Sequence, residues 1–393
     1  MLHYIKNEGV SPMERTELHK RVWRVLYAIA DKPVHRIFAL QSEPVEVDAP
    51  CIVISNHVTD LDPFLVAMSF PEKQLYYVAS EHIFRLPVAS KIITTLLDPI
   101  ARKKGDSGFG AVREILRRVK QGHSICLFAE GDCTWDGRTG SIPPATGKMV
   151  RSSGAALVTY RLEGGYFTSP RWGRGLRRGE MRGHPIGVYP PEALRKMKGK
   201  EITALIERDI FEDAWARQKE HPVHYETNCR AERLEIALFL CPECRRVGTL
   251  RSNDDTLRCT CCGSEVRMRG DYTFAPGAPF PTVAEWDAWQ HEALRAGNYV
   301  HGETLFSDPV CAFSRILPEH RTEKLTGTEL VQRSDALHCG GMTFPLREIE
   351  NMAIVQKRLL LFTCAGHYYT VKCAKGANLR KYLALWKAAH EEA

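Results

Sequence analysis

Cys51-Ile52-Val53-Ile54-Ser55-Asn56-His57-Val58-Thr59-Asp60-Leu61-Asp62-Pro63 is the stretch on which the fold turns. Its apolar, β-branched start predicts a strand buried on both faces. The run stops at Asn56-His57, so an imidazole stands just past the carboxyl end of a strand. Asp62 follows five residues later. A neutral imidazole can take a proton from a hydroxyl, and a nearby carboxylate fixes its tautomer and stabilises the charged ring. A second reading stays open: Asp62-Pro63 is also a helix start, with Asp62 as N-cap and His57 an ordinary loop histidine.

Working outward, apolar runs at 75–78, 124–128 and 155–158 predict further strands, with helices over 64–70 and 90–97 between them. Val112, Ile115, Leu116 and Val119 recur at helical spacing up to Gly122. Helices alternating with strands give an α/β layer architecture, whose ligands gather beyond the strand ends. Phe128-Ala129-Glu130-Gly131 also closes a strand, which puts Glu130 on the same rim as His57. A glutamate there either meets a ligand or accepts from backbone amides. Asp98-Pro99-Ile100-Ala101-Arg102-Lys103-Lys104-Gly105 delivers three consecutive cations to a loop.

From about residue 51 to 189 these motifs, taken in order, resemble the glycerolipid acyltransferase superfamily, which includes the lysophosphatidic acid acyltransferases. Asn56-His57-x4-Asp62, the loop arginine Arg102 and Phe128-x-Glu130-Gly131 carry the resemblance. It implies His57 as general base, Asp62 as its partner, and Asn56, Arg102, Glu130 and Gly131 around the acceptor's polar head. It also implies a thioester of coenzyme A or of acyl carrier protein as acyl donor and a lysophospholipid hydroxyl as acceptor, with no redox cofactor. Two departures stand out. The family's Phe-Pro-Glu-Gly-Thr-Arg reads Phe-Ala-Glu-Gly-Asp-Cys here, with Cys133 for arginine and Asp132 added, and the usual fourth-motif proline is replaced within 155–161.

Residues 11–30 predict an amphipathic helix with Leu18, Val22, Val25, Leu26 and Ile29 on one face. Arg15, Lys20, Arg21 and Arg24 interleave with that stripe, and Trp23 and Tyr27 lie beside it. Such a helix lies on a membrane surface, packs on its own domain, or does both. The glycine, aromatic and arginine mixture over 164–178 suits either a loop over an anionic, partly apolar ligand or a basic surface loop. A helical pair over 191–219 closes the first domain.

Cys241-Pro-Glu-Cys244 and Cys259-Thr-Cys261-Cys262 form two knuckles joined by a polar strand–turn–strand segment. Four thiolates supplied two by two are a zinc ribbon's ligand set, so Cys241, Cys244, Cys259 and Cys262 are expected to hold a structural zinc, with Cys261 spare. Past a Pro-Gly linker at 275–281, short strands over 329–332, 336–338, 342–345, 351–355, 359–363 and 368–372 precede a helix over 377–390. This architecture is similar to a pleckstrin-homology-like barrel closed by one helix.

The expected chain is thus an α/β acyltransferase-type domain (residues 1–223), a zinc ribbon (236–272) and a C-terminal β-barrel-like domain (300–393). A net charge of +7 suits anionic lipid surfaces and phosphorylated substrates. Nucleic acid fits less well, because the cations gather around the α/β motifs rather than the ribbon. Thirteen cysteines, no export signal and no apolar run long enough to span a bilayer point to a cytoplasmic protein held peripherally at the membrane. Two rival functions remain: a catalytically lapsed lipid-binding or scaffold protein, and a ribbon-based nucleic-acid or protein-binding module.

Overall fold

The structure is a computed structural model that describes residues 12–48, 50–80, 97–102, 108–317, 321–355 and 357–391. The expected helix over 90–97 and the Lys103-Lys104-Gly105 loop fall almost wholly outside the described residues. The chain divides into two compact units, Met1–Arg171 with Gly175–Glu226, and Trp172–Arg174 with Thr227–Ala393.

The first unit is built on strands β1 (Leu40–Ser42), β2 (Cys51–Ser55), β3 (Leu75–Ser80), β4 (Ile100–Arg102), β5 (Ser124–Phe128), β6 (Ala156–Glu163) and β7 (Met181–Tyr189). Their order is β1-β7-β6-β2-β5-β3-β4, so β2 runs through the middle. β6, β2, β5, β3 and β4 are mutually parallel; β7 runs antiparallel to β6 and pairs β1 in parallel. Alternation along β2 explains the layers. Ile52 and Ile54 enter one core, with Ile115 and Val119 of helix Phe109–Lys120 and Ile202 and Ile206 of helix Gly199–Ile210. Cys51 and Val53 enter the other, beneath helices α1 (Pro12–Phe38) and α2 (Asp62–Ala67). All four side chains are fully buried, and burying each of the aliphatic ones contributes roughly 1.5–3 kcal/mol.

α1 extends eight residues beyond the expected 11–30 window, straight through Pro33. A proline inside a helix costs about 3 kcal/mol or more. Burial of Phe38 and packing of Val34 on the core offset it, while Pro33 itself faces solvent. Trp23 and Tyr27, expected beside the apolar stripe, turn to the protein, donating to the carbonyls of Phe70 and Met68.

In the second unit, β8 (Leu250–Asn253), β9 (Thr256–Cys259) and β10 (Glu265–Arg267) make a small antiparallel sheet at the cysteine knuckles. The strands β11 (Phe306–Ile316), β12 (Thr322–Leu325), β13 (Glu329–Gln332), β14 (Ala336–Cys339), β15 (Met342–Pro345), β16 (Ile349–Val355), β17 (Leu359–Cys364) and β18 (His367–Cys373) form the larger one. Its order is β15-β14-β13-β11-β18-β17-β16, with β12 on β11. The expected barrel is therefore corrected to an open sheet, since among the described residues no pairing joins β15 to β16. A 3-10 turn at Leu346–Glu348 carries the chain round that corner, and helix Arg380–Glu391 covers it, Trp386 donating to the Ile349 carbonyl. A buried Arg380–Asp287 pair and Gln290, bonded to the amides of Phe239 and Leu240, tie this helix and helix Val283–Arg295 to the knuckle segment.

Candidate active site

β2 is in register with β5 and β6 up to Ser55, opposite Phe128 and Tyr160. Asn56 continues the pairing with its side chain: Nδ2 donates to the Leu162 carbonyl and Oδ1 accepts from the Leu162 amide, each at 2.8 Å. Expected near the acceptor, Asn56 is instead buried in the sheet as a clamp on β6. His57 then leaves the sheet at the rim.

Asp62 lies fully buried beneath it. The His57 Nδ1 to Asp62 Oδ2 distance is 2.8 Å. The same carboxylate accepts from the amides of Val58 (2.6 Å) and Thr59 (3.0 Å) and from the Thr59 hydroxyl (2.8 Å). It makes no capping bond to α2, so the helix-start reading of Asp62 does not describe its side chain. With Nδ1 bound to a carboxylate, the neutral tautomer carries its proton there and its lone pair on Nε2. Burial opposes charge on the ring, but the Cys133 sulfur and the bond and charge of Asp62 hold His57 well above the ordinary histidine range. Burial also pushes the Cys133 thiol up, which leaves it neutral at neutral pH. The lasting part of the His57 shift is therefore Asp62.

Glu130 sits on the neighbouring strand end. Its Oε1 accepts from the His57 amide and its Oε2 from the Gly140 amide, both at 2.6 Å. Burial pushes its carboxyl up to about 7, against the pull of those two amides. Both oxygens are thus engaged by backbone, and Glu130 holds the histidine loop. Gly131 turns with φ near +76°, and a Cβ there would lie 3.5 Å from Nη1 of Arg102. Arg102 and Gly131, expected together, are brought together, with half-buried Arg102 ending β4.

Five contacts were not legible from the motif. The Phe128 ring stacks on His57 at 4.4 Å between centroids. Cys133 Sγ is 3.5 Å from both Nδ1 and Nε2 of His57. In the ring plane such a sulfur would collide with the carbon between the nitrogens, so it lies over a face. Arg171, from the loop after β6, pairs with Asp132 at 2.5 Å and donates to the Cys133 carbonyl at 2.9 Å. Its guanidinium also lies 4.0 Å from the Trp135 ring centroid. The anion introduced by Asp132 is thereby matched by an arginine 39 positions away. The sequence signals for this were the departure of Asp132-Cys133 from the family pattern and the arginine-bearing loop over 164–178.

In the second unit the thiols of Cys241, Cys244, Cys259 and Cys262 lie within 4.8 Å of one another. Cys241–Cys262 and Cys244–Cys259 are each 3.7 Å apart. A tetrahedron with Zn–S bonds of about 2.3 Å has edges of about 3.8 Å, so the donor set fits zinc. The Cys261 amide and the Thr249 hydroxyl point at Cys259 Sγ, the kind of support a metal-bound thiolate receives. Cys261 itself stays outside the cluster, as expected.

Comparison with known proteins places this geometry. Residues 36–163 match the family model described as Acyltransferase. The chain is 25% identical over 173 residues to the chloroplastic 1-acyl-sn-glycerol-3-phosphate acyltransferase BAT2 of Brassica napus, covering 43% of this chain and 49% of that protein. It is likewise 25% identical over 173 residues to the chloroplastic 1-acyl-sn-glycerol-3-phosphate acyltransferase LPAT1 of Arabidopsis thaliana, covering 43% and 48%. The chain spans about half the length of these relatives. Among solved structures, the 1-acyl-sn-glycerophosphate acyltransferase PlsC of Thermotoga maritima aligns with a TM-score of 0.41 and 16% identity, over 50% of this chain and 80% of that one. Across the strands and loops that hold His57, Asp62, Arg102 and Glu130, this chain is therefore similar to the acyltransferase family.

Proposed function

We propose that the first unit is an O-acyltransferase that moves a fatty acyl group from acyl-CoA or acyl carrier protein to the free hydroxyl of a lysophosphatidic-acid-like lysophospholipid. The observation that carries this reading is the His57–Asp62 pair, 2.8 Å apart on the strand rim, within a segment similar to acyltransferases. The named activity of the two plant relatives supports the choice of acceptor.

In this mechanism Nε2 of His57 takes the proton of the acceptor hydroxyl as its oxygen attacks the thioester carbonyl. Collapse breaks the C–S bond, and the departing thiol recovers the proton from the imidazolium. Asp62 fixes the tautomer and balances the charge that His57 acquires. Glu130 positions His57 through its amide instead of gripping the headgroup, and Arg102, lying along Gly131, supplies the phosphate contact.

Two partners complete the reading. One zinc ion, held by Cys241, Cys244, Cys259 and Cys262, would cross-link the knuckles; four protein ligands leave it a structural role. A membrane surface would meet α1, where Leu18, Val25, Leu26, Ile29 and Ile37 are exposed, Ile29 at 67%. Among the described residues no helix is long and apolar enough to cross a membrane.

The test is thioester consumption against a panel of lysophospholipids, wild type beside His57→Ala. The alanine variant should lose about 10²–10⁴-fold in turnover with an unchanged melting temperature. Wild-type turnover in that variant would sink the mechanism.

A further inference from the structure

We propose that Cys133 is a catalytic residue of this site, a nucleophile that carries the acyl group as an enzyme thioester between donor and acceptor. The proposal rests on the acyl-transfer reading above and adds a covalent intermediate to it.

The geometry is that of a contiguous thiol, imidazole and carboxylate. Cys133 Sγ is 3.5 Å from Nε2 of His57, and Nδ1 of the same ring is 2.8 Å from Asp62. A nucleophile within reach of a base that is itself oriented by a third group is the pattern of covalent catalysis. In the resting site the Cys133 thiol also donates to Asp60 Oδ1, with Sγ 3.7 Å from that oxygen. Because the sulfur lies over the ring face, transfer of its proton to Nε2 requires the Cys133 segment to move until Sγ enters the ring plane.

The position is built. Arg171 fixes the Cys133 carbonyl and the Asp132 side chain, and the Thr134 amide donates to the His57 carbonyl at 2.9 Å. Phe128 stacks on the ring that the sulfur touches. Two other cysteines of this unit show the contrast: Cys51 and Cys126 are completely enclosed within β2 and β5, where they fill space. Cys133 is a buried residue, at 6% exposure, beside a histidine side chain that is 19% exposed.

The chemistry balances without a further reagent. His57 Nε2 takes the thiol proton as Sγ attacks the donor carbonyl carbon. The donor C–S bond breaks, and its thiol leaves with that proton. The acceptor hydroxyl then gives its proton to Nε2 and attacks the acyl-Cys133 carbonyl. The enzyme C–S bond breaks and Cys133 is reprotonated by the imidazolium. One thioester is exchanged for another, then an ester is formed.

Full-length protein is incubated with palmitoyl-CoA without acceptor, quenched in acid and weighed intact. A mass increase of one palmitoyl group is expected, mapped to Cys133, removed by neutral hydroxylamine and discharged by added lysophosphatidic acid. Wild type should also exchange palmitoyl between CoA and free pantetheine. Cys133→Ala should lose both reactions and drop acyl transfer on the order of 10²-fold or more. Cys133→Ser should accumulate a hydroxylamine-resistant ester. The wild-type adduct decides the matter even where a variant folds poorly. Steady transfer to lysophosphatidic acid with no adduct and no pantetheine exchange overturns the Cys133 step and leaves the acyltransferase reading standing. An adduct on Cys133 that no lysolipid discharges supports the nucleophile and removes the proposed acceptor.

Discussion

With Nδ1 committed to Asp62, His57 serves as a base only when Nε2 is free of its proton, so the rate must rise as pH climbs through the raised His57 value. The acid limb of kcat/KM is expected above the ordinary histidine range. Asp62→Asn removes the charge that sustains the shift, which should move the limb to lower pH and lower the plateau as the tautomer is released. An unmoved limb in that variant would show that Asp62 does not set the base. Glu130 makes a different demand, because both its oxygens accept from amides. Glu130→Gln sets an NH2 group against one of those N–H groups, at about 1–3 kcal/mol. A lower melting temperature and a lower kcat should follow, with KM for a phosphate-headed lysolipid little changed. A many-fold rise in KM at constant melting temperature would instead put Glu130 on the substrate. Spacing offered the His57–Asp62 pair beside the helix-start reading, and the ordered motifs after it favoured the pair: four residues of loop return a carboxylate to its own strand end. The inward turn of Asn56 was hidden, since its partner, Leu162, lies on another strand, β6; for Glu130 the amide-binding alternative was open, but its partners, the amides of His57 and Gly140, were not legible.

At the scale of elements, the strands buried on both faces were the readable ones. β2 and β5 are short, uninterrupted apolar runs, and no polar alternation is needed when helices cover both faces. β7 escaped notice because Met181–Tyr189 contains Arg182, Gly183, Pro185 and Gly187, residues that weaken a strand signal. Its place is set by β6 and β1, partners that local sequence does not reveal. α1 was legible as a helix but not in its orientation: the aromatics Trp23 and Tyr27 anchor it, and Val25 and Ile29 face out. Exposed apolar residues flanked by Lys20, Arg21 and Arg24 make a membrane-facing surface the natural use of that side. Each cation near an anionic bilayer contributes about 1 kcal/mol, screened over roughly 8–10 Å. Binding to anionic vesicles should fall steeply with salt and nearly vanish on neutral ones. Changing Lys20, Arg21 and Arg24 to Gln should weaken vesicle binding yet spare activity on detergent-dispersed substrate. Undiminished pelleting of that variant would assign α1 to packing alone.

At the scale of the whole molecule, the chemistry and the cysteine cluster fall in different compact units, His57 in one and Cys241 in the other. All thirteen cysteines are free thiols, and four converge to the edge length of a zinc tetrahedron. Structural zinc in small peptides binds with about 10–16 kcal/mol at pH 7, comparable to the whole stability of a typical domain. The knuckles and the β8–β10 sheet should therefore depend on metal, whereas the cores about β2 contain none of the four ligands. Purified chain is expected to carry about one zinc per monomer by elemental analysis. Cys244→Ser should lose the metal and add an early calorimetric transition, while Cys261→Ser should keep both metal and melting profile. Acyl transfer at low temperature should persist in both variants, since every residue assigned to the chemistry lies in the first unit. If turnover instead follows zinc occupancy across the series, the metal acts on the acyl-transfer site and its role is more than a cross-link.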